Sequence, residues 1–470
     1  ILALFPNFPI MSLVMLAISS TLKSVLEKTL PLTVGLFAIM SVQLIDAVFI
    51  GKLGVNELTV QGITMPFQAA FIGIQVGIGV AATSIISHAF GANDTRRATN
   101  TASLALLVGS AFIALIGVTL WLMEQSVFSA FVSVEDGGTQ YQQLEVLFGQ
   151  FWGLWLLSAL SSAVLYLMTC VYRANGDTKV TGSVFVIASL INLVLDPIFM
   201  FVLNMGIAGA ALASMLGFAI SAGYMMQRAK GRHWFAPFSC ALASKEDFNL
   251  LIKTTIPTMI NQILPSVSAF VTVMFIAHLG TNEIAFWSLL NRVESFLLIF
   301  TLALTMSLPP MIGRELGAER FDSIQALVQS ASRFVILFHL VIATLLVVSL
   351  PIVVPLLSAD NTMQDWLKLA LWVIPFSYGP LGLCMVVTSI FNALGKPKTA
   401  LFVCFVRLLV LYIPAIAIGS LQGDIFTIVI AATIANVLAG LFSWLQLTSY
   451  AKQNLSATHA AMIEVKTAEQ

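Results

Sequence analysis

LPLTVGLFAIMSVQLIDAVFIG, residues Leu30–Gly51, is a long apolar run with one ionisable side chain, Asp46. Twenty-two residues rising ~1.5 Å each span ~33 Å, about the thickness of a bilayer core. A carboxylate at that depth costs at least ~2.5 kcal/mol, so it marks a functional position by default. The run continues into FIGKLGVNEL (Phe49–Leu58), which returns as FIAHLGTNEI (Phe275–Ile284). The segment with the costliest residue therefore also carries the signature of a duplication.

Composition places the whole chain in the same solvent. Of 470 residues 59% are hydrophobic and only 9% charged, and the mean hydropathy is +0.96. Soluble domains carry about 25% charged residues, so this is an all-α membrane protein. Basic and acidic residues balance at 22 each, which argues against nucleic acid as a partner. The cysteines form no CxxC pair, and the histidines are scattered without an HExxH. No structural metal and no cofactor is expected. Residues 1–22 lack the basic start of a signal peptide. They read as an extra interfacial helix or as the product of an uncertain start site, and are not counted as a span.

Eleven more apolar runs follow, at about 60–89, 101–123, 144–172, 180–203, 206–227, 252–277, 286–312, 327–357, 367–391, 399–420 and 425–449. Their connections alternate in charge. One side collects 17 of the 22 basic residues, from Lys23 and Lys28 through Arg228, Lys230 and Arg232 to Lys452 and Lys466. The other side carries Glu135, Asp136, Asp360, Asp365 and Asp424, with Lys52 and Lys368. By the positive-inside rule both termini are cytoplasmic, as an even number of spans requires. The expected location is the inner (plasma) membrane, in multi-pass form.

The polar stretch 228–250 divides the spans into two sets of six. The expected units are an N-terminal lobe at 23–238, a C-terminal lobe at 239–451 and a cytoplasmic tail at 452–470. At an offset of 226, six of the ten residues from Phe49 to Leu58 are identical, and Gly91-Ala92 falls on Gly317-Ala318. Later the offset is 219, pairing Thr169, Ala174, Gly176 and Lys179 with Thr388, Ala393, Gly395 and Lys398. Six spans per repeat insert the same way up, so the lobes are parallel repeats around a central cleft, suited to alternating access.

Features shared by both repeats read as architecture; features of one repeat are better candidates for chemistry. Asp46 falls on Thr272, Asn192 on Leu411 and Asp196 on Ala415. Asp46 and Asp196 each lie 16 residues beyond the cytoplasmic start of their spans, ~24 Å deep. Ser214 reaches a similar depth from the opposite direction. Asn192 and Asp196 are i and i+4 on one helix face, Gln43 lies one turn before Asp46, and Pro197 favours a kink. Asp46, Asp196, Asn192, Gln43 and Ser214 are therefore the candidate site. Two carboxylates in low dielectric do not both ionise easily, which suits a proton carrier or a Na+ site at Asp46 and Asp196. Structural glue between helices is the competing reading for the same residues. Elsewhere Arg292 and Glu294 read as a local pair near a helix end, and Arg407 as a side chain that snorkels to the cytoplasmic surface.

Residues 30–58, GANDTRRA (91–98), YRANGDTK (172–179) and INLVLDPIFMFVLNMGIAGAALAS (191–214) resemble the multidrug and toxic compound extrusion (MATE) family. The likeness extends from about Thr21 to Ala451, and Asn192-x-x-x-Asp196-Pro197 looks like its DinF-type branch. The resemblance implies a V-shaped bundle of twelve helices. It implies cation-coupled (H+ or Na+) antiport that exports organic compounds, with Asp46, Asn192 and Asp196 as the coupling site. The expected partners are small cationic or amphipathic organic molecules and the lipid bilayer, and the expected state is a monomer. One alternative is a flippase for lipid-linked oligosaccharides, which calls for basic residues along the cleft; the spans contain few, chiefly Arg292 and Arg407. Another is an intramembrane enzyme using Asp46 and Asp196 as an aspartyl dyad. The twofold repeat and the lack of other enzyme motifs argue against it.

Overall fold

The apolar runs become helices because a backbone in lipid must satisfy its own hydrogen bonds. The computed structural model describes residues 20–132, 138–237 and 244–468. Most of the N-terminal segment read at 1–22, together with Glu135, Asp136 and Cys240, lies outside the described residues. Among the described residues there are helices and no strands.

The first six spans are α1 (Ser20–Leu53), α2 (Val55–Gly91), α3 (Thr95–Leu122), α5 (Gly138–Ala174), α6 (Thr178–Pro197) and α7 (Gly206–Ala229). A short helix, α4 (Glu124–Phe131), follows α3, and a π-helical turn, Ile198–Val202, prolongs α6. The second six begin with α8 (Lys245–Ala277) and a pair, α9 (Thr281–Leu297) and α10 (Ile299–Gly317). They continue with α11 (Phe321–Leu357) and with α12 (Asn361–Val373), which a 3-10 turn, Ile374–Ser377, joins to α13 (Tyr378–Ala393). The last are α14 (Pro397–Phe405), joined by a π segment at Val406–Tyr412 to α15 (Ile413–Ser420), and α16 (Ile425–Ala468). Among the described residues eleven helical segments are long and apolar enough to cross a membrane alone; a twelfth is α9 plus α10, bent by 46° at Leu298. The run expected as one helix at 286–312 is thus broken. Leu298 is neither proline nor glycine, so this kink has no sequence marker.

The duplication is one of backbone geometry as well as of residues. Gly54 (φ 158°, ψ 175°) and Gly280 (φ 152°, ψ 173°) take matching conformations at matching turns. Asn93 and Glu319 both adopt left-handed values, φ 58° and 59°, closing α2 and α10. Gly176 (φ 83°) and Gly395 (φ 68°) do the same after α5 and α13. GANDTRRA and YRANGDTK now have a mechanical meaning. Each pairs a left-handed residue with a capping aspartate: Asp94 accepts from Arg97 N at 3.0 Å and Asp177 from Val180 N at 3.2 Å. Such caps are worth about 1 kcal/mol each.

Within the first half α1 packs on α6, and α5 on α7; within the second, α16 packs on α13 and α15. The halves meet where α2 crosses α8 and α10 and where α1 crosses α10. Gly91 and Gly317 make this crossing possible: a Cβ on either would run into a carbonyl of the other helix, that of Arg314 or of His88. Polar bonds reinforce it. Arg314 donates from Nη2 and Nε to Ala174 O at 2.7 and 3.1 Å. Ser84 donates to Asn392 O at 2.7 Å and Thr258 to Gly77 O at 2.8 Å. Asp247 accepts from Arg97 Nε at 3.2 Å and Asn100 Nδ2 at 3.1 Å. Among the described residues, these polar bonds between halves all lie nearer the basic connections. Toward the acidic connections each half has its own core, one around Phe128, Phe148 and Trp152, the other around Phe286, Trp287 and Tyr378.

Candidate functional site

α1 and α6 leave the basic end side by side. A Cβ on Gly182 would collide with the Pro31 carbonyl, and the position opened by Gly35 abuts Gly182 and Phe185. Only small residues let the two backbones come this close. From that crossing Asp46 lies ~17 Å beyond Gly35 and Asp196 ~21 Å beyond Gly182, so both carboxyls arrive at one level. They face each other within interaction range. Asp196 is fully buried and Asn192 is 7% exposed. Asn192 Nδ2 donates to Asp196 Oδ1 at 3.3 Å and to Ser214 Oγ at 3.0 Å, tying α6 to α7. α7 comes close because it is rich in small residues; a Cβ on Gly209 would lie 2.7 Å from the Phe199 backbone. One oxygen of each carboxyl, Asp46 Oδ1 and Asp196 Oδ2, is buried and accepts from no protein donor.

These residues open on a cavity of about 150 Å³. All of Gln43, Asp46, Asn192 and Ser214 line it, so the structure brings together the residues singled out in the sequence, with Asp196 directly behind Asn192. The opposite wall went unread in the sequence: Gln61, Thr64 and Gln68 from α2, and Ser158 from α5. Their signal was present. Gln61, Thr64 and Gln68 follow i, i+3, i+7 spacing, which puts three polar groups on one face of an apolar span. Trp155 and Phe151 close the cavity, and Trp155 is stacked on Trp152 at 5.4 Å. Trp152 is held by its Nε1 donating to Leu120 O at 3.1 Å. Pro197 ends the regular helix; the chain passes into the Ile198–Val202 π turn two residues after Asp196. π turns recur at functional positions in helices.

With this geometry in hand, the relationship to known proteins is direct. A family model described as MatE matches residues 31–198 and again 257–418. The chain belongs to the MatE family. One match falls in each half, in keeping with the repeat. This MatE chain is 25% identical over 423 residues to the FAD transporter of Shewanella oneidensis, covering 88% of the chain and 92% of that protein. It is 23% identical over 441 residues to the multidrug export protein MepA of Staphylococcus aureus, covering 91% and 94%. A crystal structure of a variant of the Vibrio cholerae MATE transporter VcmN superposes with a TM-score of 0.88 at 36% identity, covering 93% of this chain and 98% of that one. VcmN in the bent form gives 0.85 at 37% identity, covering 91% and 96%. An outward-facing MATE transporter of the MOP superfamily shares the fold, with a TM-score of 0.84 at 20% identity and coverage of 93% and 96%. The MatE chain is thus a multi-pass membrane protein of a transporter family whose members include exporters of drugs.

One expectation from the sequence is corrected. Glu294 does not pair with Arg292: Arg292 is exposed and Glu294 half-buried, because helical geometry turns residues two apart to different faces. Arg407 lies in the π segment Val406–Tyr412, half-buried and with its Nε buried.

Chemically, the first-half site offers two facing carboxyls, an amide and a hydroxyl beside a cavity. Oxygens without donors are satisfied by a proton on either carboxyl or by a small cation bridging both. Among the described residues no group of three or more His, Cys, Asp or Glu side chains has the arrangement of a metal site.

Proposed function

We propose that this MatE protein is a cation-coupled antiporter that exports organic compounds, with Asp46 and Asp196 as the coupling pair. The observation that carries this is the pair itself: two carboxyls from different helices, facing each other beside a cavity, with Asp46 Oδ1 and Asp196 Oδ2 buried and lacking donors. A proton shared between them meets both needs, and its arrival removes one negative charge from the cavity wall. A cationic substrate is then held less firmly, so ion entry and substrate release are linked. Sodium is the second reading, supported by the unpartnered carboxyl oxygens of Asp46 and Asp196 with the Ser214 hydroxyl close by.

The basic connections belong in the cytoplasm by the positive-inside rule. In that orientation the halves are sealed on the cytoplasmic side and the cavity lies in the outer part of the membrane, which corresponds to an outward-facing state. The names of the relatives support organic substrates broadly, from drugs to a flavin nucleotide. The decisive experiment is ethidium export from vesicles under an imposed pH gradient and, separately, a sodium gradient. Export under neither gradient overturns the proposal.

A further inference from the structure

A second cavity, of about 300 Å³, lies at the basic end, on the seam between the halves. Phe90, Gly91 and Asn175 line it from the first half, and Arg314, Glu315 and Arg320 from the second. It adjoins the crossing of Gly91 and Gly317. Separating the halves at this end takes the cavity apart, so anything bound in it belongs to the joined state. The coupling site uses none of these residues.

Positive charge is in excess around it. Arg314 gives Nε and Nη2 to a single acceptor, Ala174 O, which leaves Nη1 without one among the described residues. The Phe90 ring lies under the same guanidinium, 5.9 Å away, and fixes its plane. Lys28 is bound to the adjoining turn, donating from Nζ to Gly176 O at 2.6 Å. The nearby carboxylates are already engaged: Glu315 lies 3.9 Å from Arg320, and Asp177 3.2 Å from Arg232. Neither Arg314 nor Lys28 is in an ion pair among the described residues. The repeat sharpens the point. At the offset of 226, Arg314 falls on His88 and Arg320 on Asp94. Asp94 caps α3, whereas Arg320 takes the same position before α11 and offers no cap. A cation is the less favourable charge at a helix start, so helix stability does not account for Arg320. Both arginines are features of one repeat alone.

We infer that this seam cavity binds a phosphate group, held by Arg314 Nη1 and Arg320, and that the bound anion clasps the two halves together. An arginine fork suits phosphate oxygens in geometry and charge. Glu315 is one carboxylate against two lining arginines, with Lys28 a third cation beside them, so the site keeps a net positive charge. A ligand that binds only the joined state shifts the equilibrium toward it. Basic pockets between transmembrane helices on the cytoplasmic side are places where phosphate-bearing headgroups bind. The phosphate comes from such a lipid or from a soluble anion, and the test separates the two. Only the assignment of this end to the cytoplasm rests on the orientation given above; the binding does not.

The test uses the full chain in phosphatidylcholine nanodiscs, with Ser84→Cys in a background without the native cysteines. Ser84 is buried at the seam against Asn392 O, so the rate of thiol modification there reports separation of the halves. Replacing chloride by inorganic phosphate at equal ionic strength, or part of the phosphatidylcholine by phosphatidylglycerol, is expected to slow modification at least threefold. Slowing by phosphate alone assigns the site to a soluble anion. Slowing by phosphatidylglycerol that added phosphate leaves unchanged assigns it to a lipid headgroup. Arg320→Gln keeps the Arg314 bonds to Ala174 O. Its rate in chloride should stay within twofold of the parent, which reports a folded, joined protein, while the anion effect is lost. Arg96→Gln removes an exposed charge at the same end but outside the cavity, and should keep the full effect. The inference is overturned if neither anion slows modification, if Arg320→Gln is slowed as much as the parent, or if Arg96→Gln loses the effect equally. No gradient is imposed and no coupling residue is altered, so the outcome is independent of Asp46-dependent export.

Discussion

Asn192 donates to Asp196 across one turn of the same helix, at 3.3 Å, and the same amide reaches Ser214 at 3.0 Å. One side chain thus orients the carboxyl proposed to couple the cation and fastens α6 to α7. Asn192→Leu, which installs the residue found at the repeat position 411, removes the donor from a buried acceptor. The expected cost is ~1–3 kcal/mol, read as a lowered thermal midpoint in detergent. An unchanged midpoint would show that the amide contributes nothing to the fold.

Asp46→Asn preserves shape and removes the titratable group. Ethidium export driven by a pH or sodium gradient should fall at least tenfold, with membrane insertion intact. Thr272→Ala, at the repeat position in α8, should leave export within twofold. Normal export by Asp46→Asn would remove Asp46 from the coupling role.

The sign of the pH dependence follows from charge. Raising pH deprotonates the carboxyl pair, makes the cavity more negative and tightens cation binding; lowering pH weakens it. Ethidium affinity measured across pH should therefore rise with pH in the parent chain and flatten in an Asp46→Asn/Asp196→Asn double variant. A double variant that folds, binds ethidium and keeps the full slope would be incompatible with the mechanism.

Arg314 holds the two halves together at the basic end through its paired bonds to Ala174 O. In Arg314→Ala those bonds are lost while the glycine crossing remains. A cysteine at Ser84, which is buried against Asn392 O, should then react several-fold faster with a thiol reagent applied from the cytoplasmic side. Unchanged reactivity would mean that helix packing alone seals this end.

The orientation itself is open to a direct check. Single cysteines at Lys230 and Gln422, in a background without the native cysteines, should label from opposite membrane faces with an impermeant reagent. Labelling from one face would contradict the alternating charge pattern on which the topology rests.

Much of this architecture was written in local sequence. Twelve apolar runs, a duplication visible at Phe49–Leu58, and lone carboxylates at Asp46 and Asp196 are one-dimensional signals. Each expresses the cost of exposing backbone or charge to lipid, and that cost is paid residue by residue. Depth along a helix axis follows from counting, so the equal level of the two carboxyls was legible too.

Rotation about each helix axis was decided only by tertiary structure. Lipid is as apolar as a helix interface, so a span packed on one side and lipid-facing on the other leaves little amphipathic pattern to read. Which wall Gln61 and Gln68 face, why Glu294 is half-buried while Arg292 is exposed, and where the eighth span breaks at Leu298 depend on that rotation. They were set by close contacts between distant residues, Gly182 against Pro31 and Gly91 against Arg314, which no stretch of sequence contains by itself.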